Sequence, residues 1–330
     1  MAKLDLISIG DASLDVFISP IESEALCEID KKKCYVCFSY GEKIPVKEME
    51  FSIGGNAANN AVGTKRLGVN VGVVLTLGDD DIGKEIIEKL ENENVDTTFV
   101  FQQPATTSNY STVINYTGER TIFTYKSPQS YQYPVKLPIT SWVYLTSMGD
   151  TFKPFYNHLI SFLRYNPQIK LAYNPGSRQL RVPLKEIEDM IKITHTLFVN
   201  REEAEKLTGF SQSLGKEKEL LNALVSLGVK NPVVTDGNNG SFVFDGAKYL
   251  KLGILPIDAY ERTGAGDAFG SGCLAALIKG KGFDEALIWG TVNSASVIGY
   301  TGSQKGLLHE SEITEWLERA RSSNLAVVEF

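Results

Sequence analysis

The segment Val71 to Leu77, VGVVLTL, constrains the fold most. It is almost continuously apolar, so it leaves no strand face for water. Such runs suit strands buried on both faces of a parallel sheet. Parallel strands need a long crossover, usually a helix. A Gly/Asp loop and the helical segment GKEIIEKLENEN follow directly. The alternation recurs along the chain. Leu4 to Ile9, YLTSMG, IKLAYNP, HTLFVN, PVVTDG and SFVFDG read as strands. Residues 56–67, REEAEKLTG, and the stretches 216–227, 267–279 and 284–299 read as helices. The pattern predicts a doubly wound, mostly parallel α/β sheet flanked by helices.

Two stretches interrupt it. Residues 13–50 are polar and lack a long helical pattern, but contain the strand-like KKKCYVCFSY. Between Asp96 and Tyr133, TTSNYSTVINYTGERTIFTYK is rich in Thr, Tyr, Ile and Val, with a turn signal at Gly118-Glu119. Together they predict a small β-sheet (13–50 and 99–133) inserted twice into a main domain of 1–12, 51–98 and 134–330. At about 150 residues per domain, a chain of 330 accommodates one large domain with such an appendage.

Apolar residues make up 43% of the chain, enough for a sizeable core and against global disorder. The net charge of −7 speaks against a nucleic-acid binder, which normally carries a basic excess. It does not exclude small anions, which local amides hold. The opening MAKLDLISIGD lacks the apolar core of a signal peptide. No segment approaches about 18 uninterrupted apolar residues, so no membrane span is expected and the chain is read as cytoplasmic. Cys34 and Cys37 form a CxxC. The three histidines are far away in sequence, and a strand with ordinary thiols is favoured over a zinc site.

The most informative string is RTGAGDAFGSG, residues 262–272. Small residues Gly264, Ala265 and Gly266 precede a helix that is expected to begin near Asp267. Unpaired amides at the positive end of a helix dipole make an anion hole. A carboxylate beside it completes what phosphoryl transfer to a hydroxyl requires: amides for the transferred group, and an acceptor for the hydroxyl proton. The dipole is expected to depress the Asp267 pKa. The competing readings are a dinucleotide-binding glycine loop, which belongs in an opening strand–loop–helix unit, and a tightly packed helix start. GDDDIGKE (78–85) has Walker spacing, but Glu85 stands where Ser or Thr binds magnesium and three aspartates would repel phosphate. It reads as a helix cap.

The second string is SIGGNAANNAVGTKRLG. Gly54-Gly55 permits close backbone approach. Asn56, Asn59 and Asn60, at i, i+3 and i+4, are expected on one helical face, where amides can meet polyol hydroxyls. Helix capping by Asn56 with solvent exposure of the others is the competing reading.

Gly-Gly-Asn-Ala-Ala-Asn in the first half and Thr-Gly-Ala-Gly-Asp near the C-terminus resemble the two signatures of the ribokinase-like (PfkB) carbohydrate kinase family. Their order, spacing and the chain length fit, and the resemblance covers essentially the whole chain. Smaller matches are Gly10-Asp11 to Asp15, Asn200-Arg201-Glu202-Glu203, Thr235 to Gly240, and Asn293. The resemblance implies ATP-dependent phosphorylation of a sugar primary hydroxyl, with a fructose- or ribose-like acceptor. Asp267 is then the base, and Gly264, Ala265 and Gly266 the γ-phosphoryl anion hole. Asp15, Gly55, Asn56 and Asn59 match sugar-binding positions. Asn200, Thr235, Gly237, Gly240 and Asn293 match the ATP site, with Asn293 flanking adenine. Glu203 matches a magnesium-organising position that acts through water. Glu261 and Thr263 match a monovalent-cation site that takes K+. The inserted strands match the family's lid over the sugar, which implies a homodimer.

Four departures matter. Glu261 stands where the family usually has Asp, and Arg262 where it has Thr or a small residue, which argues for weak potassium dependence. Ser13 replaces an Asn that several members use for the sugar, and Asn56 replaces the Lys of ribokinases proper, so ribose is not singled out. A nucleoside kinase of the same family is the alternative, with Phe99, Phe101, Tyr110, Tyr116, Phe123 and Tyr125 as the aromatic wall for a base. A non-catalytic sugar-binding paralogue is a third reading, against which the retained Asp267 speaks.

Overall fold

The computed structural model describes residues 3–21, 24–27, 34–116, 119–258, 260 and 262–330. The strands are β1 (Leu6–Gly10), β2 (Ser13–Pro20), β3 (Glu24–Cys27), β4 (Cys34–Cys37), β5 (Val46–Gly54), β6 (Val71–Gly78), β7 (Asp96–Gln103), β8 (Tyr110–Tyr116), β9 (Glu119–Tyr125), β10 (Trp142–Leu145), β11 (Lys170–Tyr173), β12 (Thr196–Asn200), β13 (Asn231–Thr235), β14 (Ser241–Phe244), β15 (Tyr249–Leu252) and β16 (Val328–Glu329). The helices are α1 (Asn56–Arg66), α2 (Asp81–Asn92), α3 (Phe152–Tyr165), α4 (Glu188–Lys192), α5 (Arg201–Thr208), α6 (Glu217–Ser226), α7 (Ala265–Ile278), α8 (Phe283–Val297) and α9 (Glu310–Ser322).

Ten strands form one sheet in the order β16-β15-β14-β13-β12-β11-β10-β1-β6-β7, parallel from β13 to β7 and antiparallel beyond. All eight residues of β6 are buried, as its apolar run requires. Separate apolar cores fill the two faces. One is built with Ala58, Val62, Phe269 and Leu274, the other with Phe155, Leu159, Leu220 and Leu224. The helix after β6 starts where GDDDIGKE reads as a cap. The Asp80 carboxylate accepts from the Gly83 N–H at 2.8 Å and from Ser108 Oγ at 2.7 Å. Those bonds hold its pKa low against the cost of burial.

The second sheet, ordered β5-β2-β8-β9, is the lid. Two expected boundaries need correction. β7 pairs in parallel with β6, so residues 99–103 belong to the large sheet rather than the lid. β5 continues to Gly54 opposite Ser13, so 51–54 belong to the lid. Alternation with turn-like flanks marks a strand but does not reveal its partner. Among the described residues, KKKCYVCFSY contributes β4, paired with β3. Cys37 carries a free thiol; the Cys34 side chain lies outside the described residues.

The two lid faces differ. Register sets Ser52, Asp15, Ser111 and Thr124 in one row across the four strands. The adjacent row, on the opposite face, is Phe51, Val16, Thr112 and Phe123.

Candidate active site

Helix α7 begins at Ala265, two residues before the expected start. Gly264 caps it in the left-handed region, at φ 79°. A Cβ at Gly264 would lie 2.5 Å from that of Ser303, so both conformation and space require glycine. Gly55 plays the same part before α1, at φ 88°. A side chain there would strike the Ala12 Cα and the Asp11 carbonyl at 2.5 Å.

Asp267 sits in the first turn of α7, where amides have no intrahelical partner. Asn59 Nδ2 donates to its Oδ2 at 2.8 Å. Asn59 Oδ1 accepts from Ser303 Oγ at 2.9 Å and from Gln304 Nε2 at 3.0 Å, which fixes the amide's orientation. The expected depression of the Asp267 pKa is overturned. Burial pushes it up to about 6; the Asn59 hydrogen bond opposes this and the nearby Asp15 charge adds to it. Desolvation of a buried carboxylate, which can move a pKa by about 3–5 units, outweighs a dipole that contributes at most about 2 kcal/mol.

Asp15 accepts from Ser13 Oγ at 3.0 Å. Asn56 donates to Asn174 Oδ1 at 3.4 Å, and Asn174 is also reached by Thr146 Oγ1 at 3.2 Å. The three amides of α1 do not form one solvent-facing row. Asn59 turns to Asp267, Asn56 to Asn174, and Asn60 is fully buried with neither amide atom partnered among the described residues. The helix packs against α7 and the strands β1, β5 and β6 at once, so i, i+3, i+4 spacing did not define a single environment.

Next to the α7 start lies a cavity of about 400 Å³. Asn200, Thr235, Gly237 and Gly240 line it, with Arg262, Ala265 and Gly266. Leu255, Ile257, Phe269, Ala295 and Ile298 supply an apolar slot. Asn200 and Glu203 cap α5 reciprocally. Asn200 Oδ1 accepts from the Glu203 N–H at 2.8 Å, and Glu203 Oε2 accepts from the Asn200 N–H at 2.9 Å. Burial raises the Glu203 pKa, opposed by the Asn200 amide. Thr263 lies in the turn before α7, and Glu261 lies outside the described residues.

The expectation for Asn293 fails. Its side chain is fully buried, donates to the Ala268 carbonyl at 2.8 Å, and accepts from the Leu308 N–H at 2.9 Å. It ties α8 to α7. The α8 face toward the cavity carries Thr291, Ser294, Ala295 and Ile298. Helical spacing would have found these, because they recur every three or four residues.

Sequence reading also missed two supports. Arg201 donates to Glu217 at 2.8 Å and to Asp236 at 2.7 Å, joining the α5 start to the turn that carries Gly237 and Gly240. Tyr131 donates to the buried Asp11 carboxylate at 2.6 Å, and Lys126 reaches Asp11 at 3.5 Å, tying the lid's return segment to the end of β1. Burial raises the Asp11 pKa, and the Lys126 charge and Tyr131 bond counter it. Arg201 and Asp11 each stand inside a matched motif string but were given no role there, because long-range polar contacts leave no spacing signal.

The family described as "pfkB family carbohydrate kinase" matches residues 24–310. A ribokinase of Haemophilus influenzae is 25% identical over 295 residues, covering 85% of this chain and 92% of that protein. A nucleoside kinase of Methanocaldococcus jannaschii is 24% identical over 272 residues, covering 81% and 86%. The structure of Arabidopsis thaliana ribokinase complexed with ribose and ATP superposes with a TM-score of 0.78 at 20% identity, covering 96% and 99%.

Proposed function

The chain belongs to the pfkB family of carbohydrate kinases and is an ATP-dependent sugar kinase; from that premise we propose that it phosphorylates a primary hydroxyl of a fructose- or ribose-like sugar, with Asp267 as the base. One observation carries this reading. A carboxylate with its pKa pushed up to about 6, within the electrostatic reach of Asp15 in the lid, stands at an amide-rich helix start whose Ala265 and Gly266 line the cavity.

The acceptor oxygen attacks the γ-phosphorus, the bond from that phosphorus to the β-phosphate oxygen breaks, and the hydroxyl proton passes to Asp267. At neutral pH Asp267 is ionised, yet more basic than an ordinary carboxylate, which favours proton transfer. Amides of the α7 first turn hold the charge on the transferring group. Asp15, Asn56 and Asn59 meet the sugar. Asn200, Thr235, Gly237 and Gly240 hold the nucleotide.

Magnesium fits as a companion of the nucleotide rather than as a resident ion. Among the described residues no cluster of three His, Cys, Asp or Glu side chains is placed to hold a metal. Glu203 and Asn200 suit an ion that keeps most of its water and takes phosphate oxygens, and Glu203 would act through water. Such an ion would neutralise charge on the β- and γ-phosphates.

A sugar is favoured over a nucleoside. Tyr110, Tyr116, Phe123 and Tyr125 share the lid face opposite to Asp15, and Phe99 and Phe101 stand in β7. On that opposite face Met49 is 60% exposed, Phe51 50% and Phe123 61%. This apolar patch supports a homodimer formed through the lid. Among the described residues no helix is long and apolar enough to cross a membrane. Free thiols at Cys37 and Cys273 suit a reducing cytoplasm.

The test is ADP release from ATP across ketoses, aldoses, keto-sugar acids and nucleosides, with the phosphorylated position read from the product. A sugar phosphate at the primary hydroxyl is expected. Exclusive turnover of nucleosides would replace the sugar reading, and no turnover of any acceptor would remove it.

A further inference from the structure

We propose that Arg262 is a catalytic residue: its guanidinium grips the β- and γ-phosphate oxygens of bound ATP and stabilises the charge that builds as the phosphoryl group leaves. The inference rests on the kinase reading of the cavity. Its ground is a contrast in charge. Among the described residues that line the cavity, Arg262 alone carries a charged side chain. The nucleotide that enters is a polyanion, and the remaining wall offers it amides, hydroxyls and apolar carbons.

Position supports the assignment. Arg262 precedes the α7 cap by two residues, and its carbonyl accepts from the Ala265 N–H at 3.4 Å. It therefore stands at the anion hole rather than at the apolar slot. Its side chain is exposed, and no described carboxylate lies within ion-pair distance of it. Two other arginines are engaged elsewhere: Arg66 pairs with Glu93, and Arg201 with Glu217 and Asp236. A guanidinium offers several donors in a planar fork that matches phosphate oxygens in a bidentate manner. Asp267 and Glu203 lie near the same helix start and bring negative charge. Arg262 offsets that repulsion where the polyanion must approach.

The step balances without a further reactant. The acceptor oxygen bonds to the γ-phosphorus, and the electron pair of the breaking bond goes to the β-phosphate oxygen. The acceptor proton goes to Asp267. Arg262 keeps its protons and donates hydrogen bonds throughout, most strongly to the oxygen that gains charge. Because this gain appears in the transition state, the residue acts on turnover and not only on ATP binding.

The experiment uses the full chain with Arg262→Gln and Arg262→Lys, each checked for an unchanged melting temperature. Arg262→Gln is expected to lower kcat at saturating ATP by about 100-fold, the scale of removing one preorganised donor. Its Michaelis constant for the sugar stays within a few-fold of wild type. Arg262→Lys restores part of the loss. ADP titrated calorimetrically, without acceptor, is expected to bind Arg262→Gln less tightly than wild type. Unchanged kcat in Arg262→Gln overturns the proposal, as does unchanged ADP affinity. The ADP titration separates this inference from the kinase reading. A wild type that phosphorylates no acceptor removes that reading, whereas a normal titration in the variant removes only the role of Arg262.

Discussion

The two halves of the site are made of opposite materials. The half proposed for the nucleotide is lined by glycine, amide, hydroxyl and apolar carbon, with Arg262 as the charged side chain among its described residues. The half proposed for the acceptor gathers the carboxylates of Asp11, Asp15 and Asp267 with the amides of Asn56 and Asn59, partly on a lid sheet. A polyanion is met by backbone N–H groups, which need small residues around them. A polyol is met by side-chain acceptors, which need a rigid frame. Side-chain truncation should therefore damage the acceptor half selectively, and the nucleotide half should fail mainly through its frame or its one charge.

The largest effect is expected at the boundary. Asp267→Asn should lose at least about 100-fold in turnover while ADP affinity is kept; activity within a few-fold of wild type would remove the base. The same variant should be more stable at alkaline pH. Folding raises the pKa of Asp267, so the stability this group gives is fully present below about 3.8 and lost as pH rises through about 6. Above that, the neutral amide avoids an ionised group that its surroundings disfavour, a gain on the order of 1–2 kcal/mol. Thermal melts at pH 8 and pH 4 check the sign, with the gain present only at the higher pH.

Next comes the frame of the nucleotide half. Arg201→Met leaves Asp236 and Glu217 as poorly solvated carboxylates, 13% and 12% exposed, without their partner. Breaking a buried pair in this way costs about 3 kcal/mol. The Michaelis constant for ATP should rise on the order of tenfold, and that for the sugar should not. Equal effects on both would blur the division between the halves.

Asn59→Ala should act on the acceptor half, raising the Michaelis constant for the sugar more than that for ATP. Its hydrogen bond also lowers the Asp267 pKa. Its loss should shift the acid limb of the rate profile to higher pH, which titration of initial rates will show. A selective ATP defect would exchange the two halves. The smallest effect concerns potassium. With a guanidinium at the anion hole, adding potassium to a sodium-free assay in an organic counter-ion should raise the rate only a few-fold. A large saturable rise would place a monovalent cation where Arg262 is assigned.

The large sheet was legible in the sequence because its strands are buried on both faces and written as uninterrupted apolar runs. α7 and α8 began within two residues of their expected starts for the same reason: a glycine turn and then a continuous apolar helix. The lid was legible as β structure, but its limits were not, since β7 and β8 differ in which sheet they join rather than in composition. In the site, Asp267 and its glycines stood out because few other roles need that string. Asn293 misled because a buried amide that ties two helices has the same letter as one that faces a ligand. Arg201 and Asp11 were invisible as functional residues because their partners lie far off in the chain.

The central claim is that Asp267 takes the acceptor proton from a pKa raised by burial. The most direct test is the pH dependence of kcat/KM for the best acceptor, in wild type and in Asp267→Asn. The wild-type rate should fall as pH drops through about 6, because the base is protonated there, and the residual rate of the variant should show no such limb. The same acid limb retained in Asp267→Asn, or a wild-type rate flat between about pH 5 and 8, would contradict the assignment.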